Sequence, residues 1–245
     1  LNYENAGDVL PEQLLKEVKK YAAGKLLYIP LEQEKKAWGE LSGYRHFLVR
    51  RNQFILNKFL RGTKICELAN EFCLSEETVK RIVYSKKDTN KLDYHPTSKS
   101  AIAYADAGML EEWIHTYLLF DRQNKSFSDG LRLLYRYYLG PVKMPLSLFH
   151  SSSGPEENMK WRVHPTFFEN RVMSWMDKIK SGEETPPLIS NYDNGIFEIN
   201  NDNPLFEALN RSGVTEHPII IWITEEEDYD TFVSDYAMYV ENNLK

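Results

Sequence analysis

Cysteine is nearly missing from this chain: 245 residues hold two, Cys66 and Cys73. That excludes a disulfide scaffold or a cysteine-built zinc site and fits a reducing compartment. No apolar run approaches the roughly 20 residues a bilayer-spanning helix needs. The opening LNYENAGD lacks the charged region and apolar core of a secretory signal. The cytoplasm, with no membrane partner, is therefore the expected location. An excess of positive charge is missing too, since 30 Lys+Arg stand against 36 Asp+Glu, a net charge of −6. Uniform electrostatic coating of nucleic acid is excluded by that balance. No Gly-Lys-Ser/Thr phosphate loop and no Gly-x-Ser-x-Gly nucleophile elbow occurs. The histidines, His46, His95, His115, His150, His164 and His217, include no pair at metal-ligand spacing on one helix. The chain is thus read as a non-enzyme that calls for no metal and no cofactor.

What is present begins with composition: 42% hydrophobic and 27% charged residues describe a globular protein rather than a disordered one. Charge is unevenly spread. Residues 1–88 carry 16 Lys+Arg against 12 Asp+Glu, and the remainder 14 against 24. A mildly basic head on an acidic body is the reading this suggests.

The most informative stretch is Gly62 to Tyr84. Ile65, Leu68, Ala69 and Phe72 have the spacing of a buried helical stripe, and Val79, Ile82 and Val83 repeat it after Cys73-Leu74-Ser75. Ser75 suits an N-cap, and Glu76 and Glu77 suit the positive end of the helix that follows. A small Ala69 allows the two helices to approach closely. This pattern resembles a helix-turn-helix, although an ordinary helical hairpin has the same spacing. Cys73 stands where many such motifs carry Gly, so a positive φ there would be strained.

Upstream, Pro11 opens a helix with Leu14, Leu15, Val18, Tyr21 and Ala22 on one face, closed by Gly24. Lys25 to Pro30 reads as an edge strand, and a lone strand of this kind usually finds a partner in a second copy. Tyr44 to Leu60 is a third helix, with Arg45, Arg50, Arg51 and Lys58 opposite its apolar residues. The order of helix, YIP strand, Trp38-Gly39 connector, Arg50-Arg51-Asn52 helix and helix-turn-helix resembles the Mor-type transcription activators. That resemblance covers about the first 87 residues. It implies a DNA-binding homodimer in which Ser75, Glu77, Thr78, Lys80 and Arg81 lie toward double-stranded DNA. Lys86 and Lys87 would touch phosphate, with Arg50 and Arg51 beside them.

Residues 88–99 are polar and read as an inter-domain linker. Ser100 to Phe120 and Ser128 to Leu139 are expected as helices, the second stopped by Gly140-Pro141, followed by a strand from Val142 to Phe149. Ser151 to Asn158 is a small-residue polar loop of the kind that carries function or covers a surface. Pro165 to Gly182 is a further helix. Two strands then flank the turn Asp193-Asn194-Gly195. A short helix runs from Pro204 to Arg211, and PIIIWIT (Pro218 to Thr224) reads as a strand buried on both faces. Asp228 to Glu241 closes the chain as an amphipathic helix.

The order from residue 142 to 224 resembles the ParB/sulfiredoxin-like nucleotide-binding fold, with Phe197 to Leu209 carrying the likeness. Members place a Gly, a polar residue and basic residues at the strand-to-helix turn, where backbone N–H groups and arginine hold phosphate. Here that turn reads Asn201, Asp202, Asn203, Pro204, Leu205, with only Asn203 and Glu207 matching the polar pattern. Asp202 replaces the glycine with a negative charge, Pro204 removes a donor and Leu205 replaces the arginine. The resemblance therefore implies the fold without its phosphate chemistry.

The expected architecture is α+β. Residues 1–87 form an all-α helix-turn-helix and dimerisation domain with one short strand, 88–99 the linker, and 100–245 an α+β domain with a small mixed sheet. The expected function is a dimeric transcriptional regulator whose body senses a small-molecule or protein ligand, contacts a partner or adds dimer surface, without catalysis. Two alternatives stay open: a CTP- or ATP-dependent ParB-like DNA-binding protein, and an interaction module whose helix-turn-helix is structural.

Overall fold

The computed structural model describes residues 6–23, 44–85 and 91–240. The chain divides into two compact units, Leu1–Arg45 and His46–Lys245. In the first, α1 (Ala6–Val9) precedes α2 (Glu12–Ala22), which opens after Pro11 and carries Glu12 in its first turn and Lys19 and Lys20 in its last. These charges complement the helix dipole. The strand and dimer contact expected at Leu26 to Ile29, and the Trp38-Gly39 connector, lie outside the described residues.

In chain order there follow α3 (Tyr44–Leu60), α4 (Ile65–Glu71), α5 (Glu76–Tyr84), α6 (Ser98–Asp106) and α7 (Leu110–Thr116). A π turn, Tyr117–Asp121, extends α7 and leads to α8 (Lys125–Leu131). Then come β1 (Tyr137–Pro145), β2 (Phe149–Ser151), β3 (Ser153–Gly154), β4 (Trp161–Arg162) and α9 (Pro165–Ser181). The remainder is β5 (Leu188–Asp193), β6 (Ile196–Asn201), α10 (Asn203–Arg211), β7 (Glu216–Ile223), α11 (Glu226–Asp235) and α12 (Ala237–Val240). The architecture is α+β, and among the described residues no helix is long and apolar enough to cross a membrane.

The main sheet has the order β1-β7-β5-β6-β2. Its pairings alternate: β1/β7 and β5/β6 are antiparallel, and β7/β5 and β6/β2 are parallel. The β5–β6 hairpin turns at Asn194 (φ 49°) and Gly195 (φ 80°), the two successive positive φ values that a tight Asn-Gly turn provides. The expected PIIIWIT strand lies inside the sheet as β7. Ile219, Ile221 and Ile223 enter one core with Leu205, Leu209 and Phe232, while Ile220 enters another with Tyr104, Trp113 and Ile114. Alternate residues thus bury opposite faces, each isoleucine contributing about 1.5–3 kcal/mol. A smaller cluster of Ile55, Leu68, Ala69, Val79, Ile82 and Val83 holds α3, α4 and α5 together.

Several expectations require correction, among them the closing helix, which breaks at Tyr236 between α11 and α12. The helix expected from Ser100 to Phe120 is broken at Gly108, whose φ of +67° ends α6 and where a Cβ would come within 3.1 Å of His46 Nε2. The helix expected from Ser128 to Leu139 ends at Leu131, because Tyr137, Tyr138 and Leu139 pair instead with Ile223, Trp222 and Ile221. Sheet pairing overrides the helical spacing of those residues. Nor do Gly140 and Pro141 stop the element: β1 bulges there and continues, with Gly140 at φ +96° lying so close to β7 that an added Cβ would be 2.6 Å from the Ile219 carbonyl oxygen.

The division between units falls at Arg45/His46 rather than in a linker at 88–99. Residues 91–97 are instead docked: Gln53 Nε2 donates to Leu92 O at 2.9 Å and Trp113 Nε1 to His95 O at 3.1 Å. A buried network extends this tie, with the Tyr104 hydroxyl and Gln53 both donating to Asn57 Oδ1 and Asn57 donating to Thr116. The helix-turn-helix and the sheet consequently belong to one unit.

Candidate functional site

The helix-turn-helix is fixed by local chemistry. Ser75 caps α5 by accepting from the Thr78 N–H at 3.2 Å, and the Leu74 N–H bonds the Ala69 carbonyl at 2.9 Å. Cys73 has φ 52°, so the chain adopts the left-handed turn without a glycine. Val79, Ile82 and Val83 are buried, which turns Ser75, Glu77, Lys80 and Arg81 outward; Thr78 is half-buried. Lys80 and Arg81 make no ion pair among the described residues.

The other expected DNA contacts divide. Arg50 is held by two carboxylates of α7, Glu112 Oε1 at 2.7 Å and Glu111 Oε2 at 2.5 Å, so its guanidinium is engaged inside the fold and not presented to phosphate. Arg51 bonds the Asn52 side chain at 3.0 Å. Lys58, expected on the solvent side of α3, is 9% exposed and pairs with Glu71 against the Phe54 and Phe72 rings. Lys86 and Lys87 lie outside the described residues.

The second feature is a cleft of about 670 Å³ over the β6–α10 turn. The expected motif positions Asn201, Asp202, Asn203 and Pro204 line it, whereas Leu205 is fully buried in the core and Glu207 bonds Arg211 at 2.7 Å. Asp202 enters α10 in the left-handed conformation, φ 59°. Its buried carboxylate pairs with Arg122 and accepts from the Tyr117 hydroxyl and from Asn201 Nδ2, the last at 3.0 Å. Burial holds this carboxyl above its ordinary range, against the smaller opposing pull of Arg122, Tyr117, Arg171 and Asn201. Asn203 accepts from Ser151 Oγ at 2.6 Å and from the Ser152 N–H at 3.0 Å, tying the serine loop to the helix start.

Two arginines reach the cleft from other parts of the chain. Arg122 comes from the end of the π turn. Arg171 comes from α9, whose Phe168 and Val172 pack on Ala208 of α10 and so set Arg171 at the cleft wall. Burial, then the neighbouring Arg122, lowers the Arg171 pKa. Trp161 and Phe167 line the cleft and are 66% and 68% exposed. The β6–α10 turn and the small-residue loop around Ser152 were the parts of this site visible in the sequence. Arg122, Arg171, Trp161 and Phe167 belong to no local motif.

The same π turn also approaches the end of α3. Asp121, adjacent to Arg122, accepts from the Tyr94 hydroxyl at 2.6 Å and lies 3.9 Å from Arg61, the residue that follows α3. A further polar cluster joins Glu111, His115 and Ser128, with His115 Nδ1 2.9 Å from Ser128 Oγ. Its serine has no solvent exposure, so no substrate reaches it in this state. Among the described residues no group of His, Cys, Asp or Glu is arranged to hold a metal ion.

No family model and no solved structure matches the chain. A stretch of 85 residues, 34% of the chain, is 45% identical to the uncharacterised protein YraL of Bacillus subtilis (strain 168) and covers 98% of it. Over that stretch the chain belongs to the YraL family.

Proposed function

Taking this member of the YraL family from its surfaces, we propose that it is a DNA-binding transcriptional regulator, acting as a homodimer, whose α+β body senses a ligand without catalysis. One observation carries the DNA-binding half. The outward face of α5 offers Ser75, Glu77, Lys80 and Arg81 at the start and middle of a capped second helix, with both cations unpaired among the described residues. A second helix so presented suits the major groove, where its N-terminal residues reach base edges. Ser75 and Glu77 would read bases, and Lys80 and Arg81 would hold phosphate. The ligand-sensing half is supported by the π turn: Asp121 lies 3.9 Å from Arg61, which precedes the helix-turn-helix, and the next residue, Arg122, pairs with Asp202 in the cleft.

The test is binding of the full chain to a fluorescent duplex from its own upstream region at two salt concentrations, beside Lys80→Ala/Arg81→Ala. Salt-sensitive binding that weakens about tenfold or more in the double variant is expected, with a salt slope shallower by roughly one unit per lost phosphate contact. Equal binding by both proteins would remove α5 from the interface. Absence of binding by the intact chain even at low salt would leave the helix-turn-helix as scaffold.

A further inference from the structure

The cleft over the β6–α10 turn differs from an anion hole built around a helix start, because most groups at its base are already engaged with one another. Arg122 is paired with Asp202, which also takes Tyr117 and Asn201. Asn203 is occupied by Ser151 and Ser152, and Asn200 by Asn191 and Trp222. Among the polar lining groups, the Arg171 guanidinium, the Ser153 hydroxyl and the Trp161 indole N–H make no side-chain hydrogen bond or ion pair among the described residues. Above them stand the rings of Trp161 and Phe167, both more than half exposed, with Phe127 and Val163 extending the apolar wall.

We propose that this cleft binds a small organic monoanion bearing a planar apolar group, its charged end held by Arg171 and Ser153 and its ring laid against Trp161 and Phe167. Its volume of about 670 Å³ lies within the range of small-molecule sites. Charge selects the monoanion. One unpaired arginine matches one carboxylate or monoester through a bidentate fork. A polyphosphate would bring several further charges toward the Asp202 carboxylate with Arg122 already engaged, and Pro204 leaves the first turn of α10 one donor short. Shape selects the planar group, since covering two exposed aromatic faces recovers apolar burial and stacking that no free anion supplies. The proposal rests on the ligand-sensing reading for its place in the function, but its test involves no DNA.

Isothermal titration of the full chain is made with indole-3-acetate and 4-hydroxybenzoate, and for comparison with the neutral indole-3-ethanol, inorganic phosphate, and CTP and ATP with magnesium. Saturable binding of a planar acid is expected. It should weaken about tenfold or more in Arg171→Ala, and also in Trp161→Ala, and indole-3-ethanol should fail to bind. Ser153→Ala, a smaller change, should weaken it by a lesser factor and guards against a folding defect at Arg171. Three results would overturn the proposal: no saturation by either acid up to about 10 mM, a concentration well above weak specific affinity; equal binding by Arg171→Ala or by the neutral alcohol; or tighter binding of CTP or ATP than of either acid. Any of these leaves the duplex measurement untouched, and failure of the duplex measurement leaves these isotherms untouched.

Discussion

Cys73→Gly should stabilise the protein, which is unusual for a substitution that removes a side chain. Cys73 sits between α4 and α5 at φ 52°, a left-handed conformation that costs an ordinary L-residue about 1–2 kcal/mol. Its side chain is exposed and its Sγ only approaches the Asn70 carbonyl oxygen, at 4.0 Å, so little packing is lost on removal. Glycine relieves the strain but adds roughly 0.5–1 kcal/mol of unfolded-chain freedom, leaving a net gain of about 0.5–1 kcal/mol. For a chain of this size that gain raises the melting temperature by roughly 1–4 °C. The assay is thermal and urea unfolding of the natural protein, Cys73→Gly and Cys73→Ala. Alanine keeps the Cβ that causes the strain, so it should change stability by less than about 0.5 kcal/mol. As an internal contrast, Cys66→Gly inside α4, where the backbone is helical, should destabilise by about 0.3–0.5 kcal/mol. If Cys73→Gly melts no higher than Cys73→Ala, the backbone of this turn is not strained and the reasoning fails.

Three other expectations follow from the packing. Arg122→Ala would strand the buried Asp202 carboxylate, so a loss of about 3–5 kcal/mol is expected in urea unfolding; a loss under about 1 kcal/mol would show that the carboxylate is not held by that pair. Gly140→Ala forces a Cβ toward the Ile219 carbonyl at positive φ and should cost about 2–4 kcal/mol or prevent folding, read as a fall in the unfolding midpoint or in soluble yield, whereas near-neutral behaviour would refute the close β1–β7 approach. Burial lowers the pKa of both His115 and His217, so the fold favours their neutral forms. Below their ordinary value of 6.5 the unfolded chain then binds more protons than the folded one. Stability is therefore present above that pH and declines as pH falls beneath it, by up to ~1.4 kcal/mol per pH unit for each histidine. His217→Gln should flatten the slope of urea midpoints between about pH 5 and 6.5. An unchanged slope would show that His217 does not contribute.

The two candidate sites differ in how they are encoded. The α5 face is a short-range object: a serine cap, an apolar stripe at helical spacing and a tight turn all lie within Gly62 to Tyr84. The cleft is assembled from the π turn, the serine loop, β4, α9 and the β6–α10 turn. Reading only the last of these, the sequence reported a lost arginine. Folding brings two arginines to Asp202 from positions about 80 and 30 residues earlier in the chain.

By itself the sequence determined what neighbouring residues decide. Ser75 and Cys73-Leu74 shape the turn between α4 and α5, Pro165 and Gly182 bound α9, Asn194-Gly195 turns the β5–β6 hairpin, and the apolar run from Pro218 yields an interior strand. Caps, φ preferences and hydrophobic period act over one or two helical turns or one hairpin, so they are visible in order along the chain. Tertiary structure alone decided that Tyr137 to Leu139 would be strand, that Arg50 would turn inward to Glu111 and Glu112, and that the helix-turn-helix would share a unit with the sheet. It also chose Arg122 and Arg171 as the cations of the cleft. Each of those outcomes depends on contacts between residues tens of positions apart, whose free energy exists only once the sheet has formed and no local pattern records it.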